Sequence, residues 1–167
     1  MNVLKKAKSG SAQKGFTIIE VVLVLAIAGL IFLMVFIALP ALQRNQRDTQ
    51  RKNDMGRLST ALVNYTNSNR GALPTNYTTF TTQYLITGGD SFIDPAGAPS
   101  GSNATTYQFT ALDNQELTKT YAESQNTIFY TTGYACGETS STVVAGGSRK
   151  VAFRMALEGG GYYCVSN

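Results

Sequence analysis

The chain of 167 residues contains no histidine and no tryptophan. Without histidine it has neither the commonest general base nor the commonest metal ligand, so hydroxyl-nucleophile chemistry of the Ser-His type is excluded. Charged side chains are sparse at 14% of the sequence, and there are four prolines and two cysteines. Cys136 and Cys164 both fall in the C-terminal third, with no Cys-x-x-Cys spacing, which argues against zinc or thioredoxin-like redox chemistry. No Gly-x-Ser-x-Gly elbow occurs, and the hydroxyls of Gly137-Glu138-Thr139-Ser140 have no base to activate them. Gly88-Gly89 and Gly146-Gly147 fit turns rather than phosphate cradles, since neither opens a helix after a strand. Asp90, Asp94, Asp113 and Glu116 lack calcium-loop spacing. Composition therefore points to a structural protein with no catalytic residues, no cofactor and no metal site.

What is present is concentrated at the N-terminus. The formal charge of +4 comes from Lys5, Lys6, Lys8 and Lys14; without these four, the 14 basic side chains become ten, equal to the ten acidic ones. Immediately after them stands Lys14-Gly15-Phe16-Thr17-Ile18-Ile19-Glu20, then an apolar run to Leu39. Phe16 to Leu39 is 24 residues with one ionisable side chain, Glu20. A helix of that length reaches about 36 Å, enough for a hydrocarbon core of about 30 Å. A carboxylate near such a core costs about 2.5–3.5 kcal/mol at mid-helix, so it is a functional residue in search of a partner. No other charge in the segment serves, which places the partner on another molecule.

Three readings of the segment stay open on residues alone. A passive single-span anchor explains the length but not Glu20. A cleaved secretory signal finds an A-x-A-like site at Ala26-Ile27-Ala28, but would leave apolar sequence through Leu39 at the new terminus. The third rests on the basic leader ending in Gly15, then Phe16, then Glu20 inside an apolar helix: this pattern resembles the type IV pilin family, with a class III-type leader. The resemblance is specific over residues 14–40 and suggestive to about residue 74. It implies cleavage after Gly15 by a prepilin peptidase, N-methylation of Phe16, and a Glu20 that guides packing of one subunit on the next. It implies further a homo-oligomeric helical filament, minor pilins, an inner-membrane platform protein and an assembly ATPase. The precursor would sit in the cytoplasmic membrane and the product in an extracellular pilus serving adhesion, motility or DNA uptake. Rival readings are a pseudopilin of a secretion or competence machine and a membrane-anchored adhesin that forms no polymer.

The resemblance also implies loss of helicity between a glycine and a proline inside the filament, here Gly29 and Pro40. Pro40 lacks a backbone donor, so a kink is expected there; Gly29 equally suits close helix packing. Beyond Pro40, Arg44, Arg47, Asp48, Arg51, Lys52 and Asp54 read as a solvated or headgroup-facing helix segment, with Arg44–Asp48 a favourable pair and Arg47–Arg51 an unfavourable one. Salt bridging to neighbouring subunits is an alternative; nucleic acid is an unsupported partner, because no aromatic residues interleave with these cations. Leu58, Ala61, Leu62 and Tyr65 recur at helical spacing, and Arg70-Gly71 with Pro74 ends the helix near Asn67–Asn69. As one helix, residues 16–69 would reach about 80 Å.

The expected organisation is a leader at 1–15, an assembly and membrane helix at 16–39, its amphipathic continuation at 40–70, and a head at 71–167. The fold class is α+β, a long N-terminal helix packed on a small four-stranded antiparallel sheet. Residues 71–104 read as a loop held down by Leu73, Tyr77, Phe80, Tyr84, Leu85, Phe92 and Ile93. Strands are expected at 105–112, 127–133, 150–157 and 161–165, with Arg154 pointing outward and Glu158-Gly159-Gly160-Gly161 as a hairpin turn. A membrane span places the head outside the cytosol, where disulfides persist, so Cys136–Cys164 is expected to be bonded.

Overall fold

The computed structural model describes residues 15–87, 89, 91–97 and 106–167. The leader up to Lys14 therefore lies outside the described residues, as do Gly88, Asp90 and positions 98–105, which include most of the turn-rich stretch and the start of the first expected strand. The chain divides between Pro40 and Ala41 into two compact units.

Helix α1 runs Ile18–Ser68 and is continuous through both Gly29 and Pro40. The part in the first unit is apolar on all sides, and its side chains are exposed, Phe32 64% and Met34 73% among them. It is long and apolar enough to cross a membrane. An apolar surface this extensive needs lipid or protein cover, because water against it is costly on every face.

In the second unit, α1 turns one face inward. Met55, Leu58, Ala61 and Leu62 are buried at helical spacing against Val151, Phe153 and Met155 of the sheet. The helix ends where Arg70 and Gly71 both take positive φ and the Gly71 N–H donates to the Thr66 carbonyl at 2.7 Å, closing the last turn. Of the expected loop at 71–104, the described part over residues 77–86 is regular. A short helix α2, Tyr77–Thr81, is capped by the Asn76 side chain accepting from the Thr79 N–H at 3.0 Å and runs into a π-helical turn, Thr82–Ile86. Its apolar spacing drives this: Tyr77, Phe80 and Leu85 are buried, whereas Tyr84 and Ile93 stay more than a third exposed.

Among the described residues six strands follow: β1 (Gln108–Ala111), β2 (Thr127–Thr132), β3 (Tyr134–Cys136), β4 (Val143–Ala145), β5 (Val151–Ala156) and β6 (Tyr162–Ser166). The main sheet has the order β1-β2-β5-β6. It is mixed rather than all antiparallel: β1 pairs parallel with β2, Gln108 opposite Thr127 and Ala111 opposite Tyr130. The cause is the connection, since residues 112–126 form a crossover long enough to return the chain to the same end. β2–β5 and β5–β6 are antiparallel, the latter closed by a turn in which Gly160 and Gly161 adopt positive φ. A second sheet, β3–β4, leaves the first at Gly133, whose φ of 84° turns the chain out of β2.

β5 is buried at all six positions, so both sheet faces are covered. The expectation of an outward Arg154 is corrected: its residue is 0% exposed. The loops after β1 and β3 fold over the face opposite α1. The Arg154 guanidinium donates to the carbonyls of Gln115 (2.7 Å), Ser141 (2.8 Å) and Asp113 (3.3 Å) and to Thr131 Oγ1 (2.9 Å). Burial lowers its pKa. A period-two pattern tells which residues share a face, but not whether the second face stays open.

Cys136 on β3 and Cys164 on β6 form a disulfide, tying the small sheet to the edge strand of the main one. The 28-residue separation predicts a stabilisation of about 3–4 kcal/mol from the constrained unfolded chain. Replacing both cysteines by Ala is expected to lower the unfolding free energy by about that amount in urea titration, and reduction of the native protein should reproduce the loss.

Candidate functional site

Gly15, Phe16 and Thr17 precede α1 as irregular backbone. Thr17 ends the irregular stretch because it can satisfy the orphan donors of the first turn. The Glu20 N–H donates to Thr17 Oγ1 at 3.3 Å and to the Thr17 carbonyl at 3.1 Å, and the Val21 N–H donates to the same carbonyl at 3.3 Å. Thr17-x-x-Glu20 has the spacing of a capping box, which puts the Glu20 carboxylate in the first helical turn, where the helix dipole favours an anion. Phe16 is 85% exposed, and among the described residues, chain neighbours aside, no atom approaches within 4 Å of the position a Cβ on Gly15 would take. Phe16, Glu20, Val21, Val24 and Leu25 border a shallow hollow of about 340 Å³. Among the described residues no cation pairs with Glu20.

The Gly15–Phe16 pair thus stands just before the helix, and the Glu20 carboxylate lies in its first turn. Residues 10–36 match the family model for the prokaryotic N-terminal methylation motif. The chain carries that motif, the leader signature of type IV pilin-like precursors. No curated protein and no solved structure matches the chain. The motif covers the end of the leader and the start of the apolar helix, and the α+β head with its disulfide lies outside the matched residues. Gly29 and Pro40 lie farther along α1, and Cys136 and Cys164 lie in the head.

A second constellation joins the later part of α1 to the head. The expectation of a solvated basic segment is corrected here: Arg51, Asp48 and Asp54 are 0%, 6% and 4% exposed. The Arg51 guanidinium donates bidentately to Asp94, Nε to Oδ2 at 2.9 Å and Nη2 to Oδ1 at 2.8 Å. It also donates to Asp48 Oδ1 at 2.8 Å and to the Tyr121 hydroxyl at 2.6 Å, and lies 4.4 Å over the Tyr121 ring. Burial pulls the Arg51 pKa down, but the bonds from Asp94 and Asp48 outweigh it and hold it above the ordinary value. Tyr121 is pushed up to about 12 by burial and by Asp94.

Arg44–Asp48 is not the pair that forms. Asp48 instead accepts from the N–H groups of Glu158 (3.0 Å) and Gly159 (2.7 Å) in the β5–β6 turn. Glu158 accepts a bidentate contact from Arg47 at 2.7 and 2.5 Å and a longer one from Arg51 at 3.3 Å. Arg47 and Arg51, neighbours of like charge, are thereby reconciled through a shared carboxylate. Asp54 accepts from the Tyr107 hydroxyl at 3.0 Å and from Arg57 at 2.9 Å. The cluster clasps α1 to the segment around Asp94 and to the β5–β6 turn. One signal of it is visible in sequence: Arg51 stands four residues before Met55, on the stripe that continues through Leu58 and Leu62.

The Arg47 bonds hold the Glu158 pKa below its ordinary 4.5. A carboxylate depressed on folding stabilises above its unfolded pKa and loses that contribution as pH falls through the folded value. Asp54 works the other way, because burial raises its pKa. Between about pH 5 and 3 the wild type should lose stability that Glu158→Gln has already lost, so the two urea-midpoint profiles should converge on acidification. Parallel profiles would show that Glu158 does not carry this dependence.

Proposed function

We propose that the chain is the main subunit of a type IV pilus, made as a membrane precursor and polymerised through the N-terminal part of α1. The observation that carries this is one ionisable group, Glu20, in an otherwise apolar segment that begins one residue after the leader glycine. Hydrolysis of the Gly15–Phe16 peptide bond frees an amine at Phe16, which is then methylated. In the filament, Glu20 of one subunit pairs with the Phe16 amine of a neighbour. Each charge would be costly alone in a low-dielectric core, and each offsets the other. Gly29 and Pro40 are the places where α1 gives up helical hydrogen bonds on assembly, since one lacks a side chain and the other a donor. The leader peptidase, the membrane platform, the assembly ATPase and minor pilins are the partners this reading requires.

The test is the intact mass and N-terminal sequence of protein sheared from the surface of producing cells. A chain starting at N-methylated Phe16 supports the reading. A chain starting at Met1 leaves a plain anchor, and one starting at Gly29 leaves a secreted head. Electron microscopy then separates long surface filaments from the short piston of a pseudopilin.

A further inference from the structure

Because β1 and β2 run parallel, their carboxyl ends lie at the same end of the sheet. There the chain parts. Residues 112–115 lead from β1 into the crossover that returns to the start of β2, whereas Gly133 turns the chain from β2 into β3, which Cys136 ties to Cys164 on β6. Diverging exits from neighbouring parallel strands leave a crevice beyond the strand ends, the place where open parallel sheets bind their ligands. Here the crevice holds about 330 Å³, within the range of about 300–1,000 Å³ typical of small-ligand sites, and residues 111–115 and 130–132 with Tyr134 line it.

The backbone of this crevice is fixed. The Leu112 N–H donates to the Tyr130 carbonyl at 2.9 Å, and Thr131 Oγ1 donates to the Leu112 carbonyl at 2.7 Å. Buried Arg154 holds the Asp113 and Gln115 carbonyls from the interior. The first wall is thus bonded inward through its main chain, while Asp113, Asn114 and Gln115 are exposed. The facing wall carries exposed Thr132 with half-buried Tyr130 and Tyr134. The Tyr130 ring packs on Tyr77, with 4.3 Å between centroids.

We infer that this crevice binds a neutral mono- or disaccharide unit, such as the end of a glycan chain. Sugar hydroxyls both donate and accept, and the walls answer both. The Asp113 carboxylate accepts; the Asn114 and Gln115 amides and the Thr132 and tyrosine hydroxyls do each. The apolar face of a sugar ring packs on an aromatic side chain, which Tyr130 and Tyr134 supply. Asp113 repels phosphates, acidic sugars and nucleic acid, and so many polar groups disfavour a wholly apolar guest. Because the backbone is already held by Leu112, Thr131 and Arg154, little ordering is left to do on binding. The crevice belongs to one head, so its occupancy does not depend on the filament reading.

The experiment is saturation-transfer NMR on the full, unassembled chain in a zwitterionic detergent, whose headgroup is not a sugar. The probes are lactose, maltose, cellobiose and N,N′-diacetylchitobiose. At least one of these is expected to receive saturation, with a Kd in the millimolar range because one side of the guest stays in water. Asp113→Ala and Asn114→Ala are each expected to weaken that binding about tenfold at an unchanged thermal midpoint, since both residues are exposed. Silence from every neutral probe overturns the inference, as does binding that both variants leave intact. So does sialyllactose binding more tightly than every neutral probe. Trilysine losing its binding in Asp113→Ala while the sugars keep theirs also overturns it, and would assign the crevice to a basic peptide. None of these outcomes touches filament assembly, which the mass of the sheared protein tests separately.

Discussion

On the filament reading, Glu20→Ala is expected to yield subunits that are cleaved, folded and retained in the membrane, with no filaments on the cell. The proposed leader cut lies five residues upstream, in a segment whose backbone the Glu20 side chain does not hold, since the contacts of the first turn are made by Thr17 and the Glu20 and Val21 N–H groups. Processing is therefore preserved. Assembly is not, because the Phe16 amine of the neighbouring subunit loses its counter-charge in an apolar bundle. A lone charge there costs about 2.5–3.5 kcal/mol, which at every subunit contact is roughly a hundredfold in association. Glu20→Gln should recover only a minor part, since it restores hydrogen-bonding capacity without charge. The measurements are the leader cut by mass spectrometry and filament yield by shearing. Normal filaments from Glu20→Ala would sink the pairing, whatever the leader result.

Arg51→Met is expected to be the most damaging single change in the head, lowering unfolding free energy by about 3–5 kcal/mol. The side chain is fully buried, and Met replaces its volume but none of its donors. Among the described residues, Asp94, 2% exposed, would keep only the Ala96 N–H at 2.8 Å and the long contact from Tyr121 at 3.4 Å. Asp48 would keep the two turn N–H groups and lose its cation. The penalty is thus mostly that of buried carboxylates left without charge compensation rather than the net worth of the ion pairs. Urea titration of the full chain in detergent tests it; a loss below about 1 kcal/mol would show that water or rearrangement compensates the acids.

The two predictions depend on the chain in different ways. Glu20 is legible because its surroundings are local. A carboxylate in a run of aliphatic residues, after glycine and phenylalanine, has the same meaning wherever the head lies. The termination of α1 near Ser68, the core stripe from Leu58 to Tyr65 and the hairpin at Gly159–Gly161 are legible for the same reason. Helical and strand periodicity and glycine turns are properties of a few adjacent residues.

Arg51 and Arg154 depart from the sequence expectation for one shared reason. Each lies on a face that sequence assigns correctly in phase but not in cover. Arg154 alternates with Val151, Phe153 and Met155 as expected, yet the loops after β1 and β3 close over it and convert an outward position into a buried one. Arg51 sits in a run that looks solvated until Asp94, Tyr121 and Glu158 arrive from 43, 70 and 107 residues away. The parallel β1–β2 pairing belongs to the same class, because the path of residues 112–126 is decided by what the crossover packs on. The sequence by itself determined the methylation-type leader, the apolar helix with its single carboxylate and the α+β class, since these follow from local pattern and charge. Only the tertiary structure decided the charge clasp between α1 and the head, the mixed sheet and the burial of Arg154. Those depend on which distant oxygens reach a guanidinium, and no spacing along the chain encodes that.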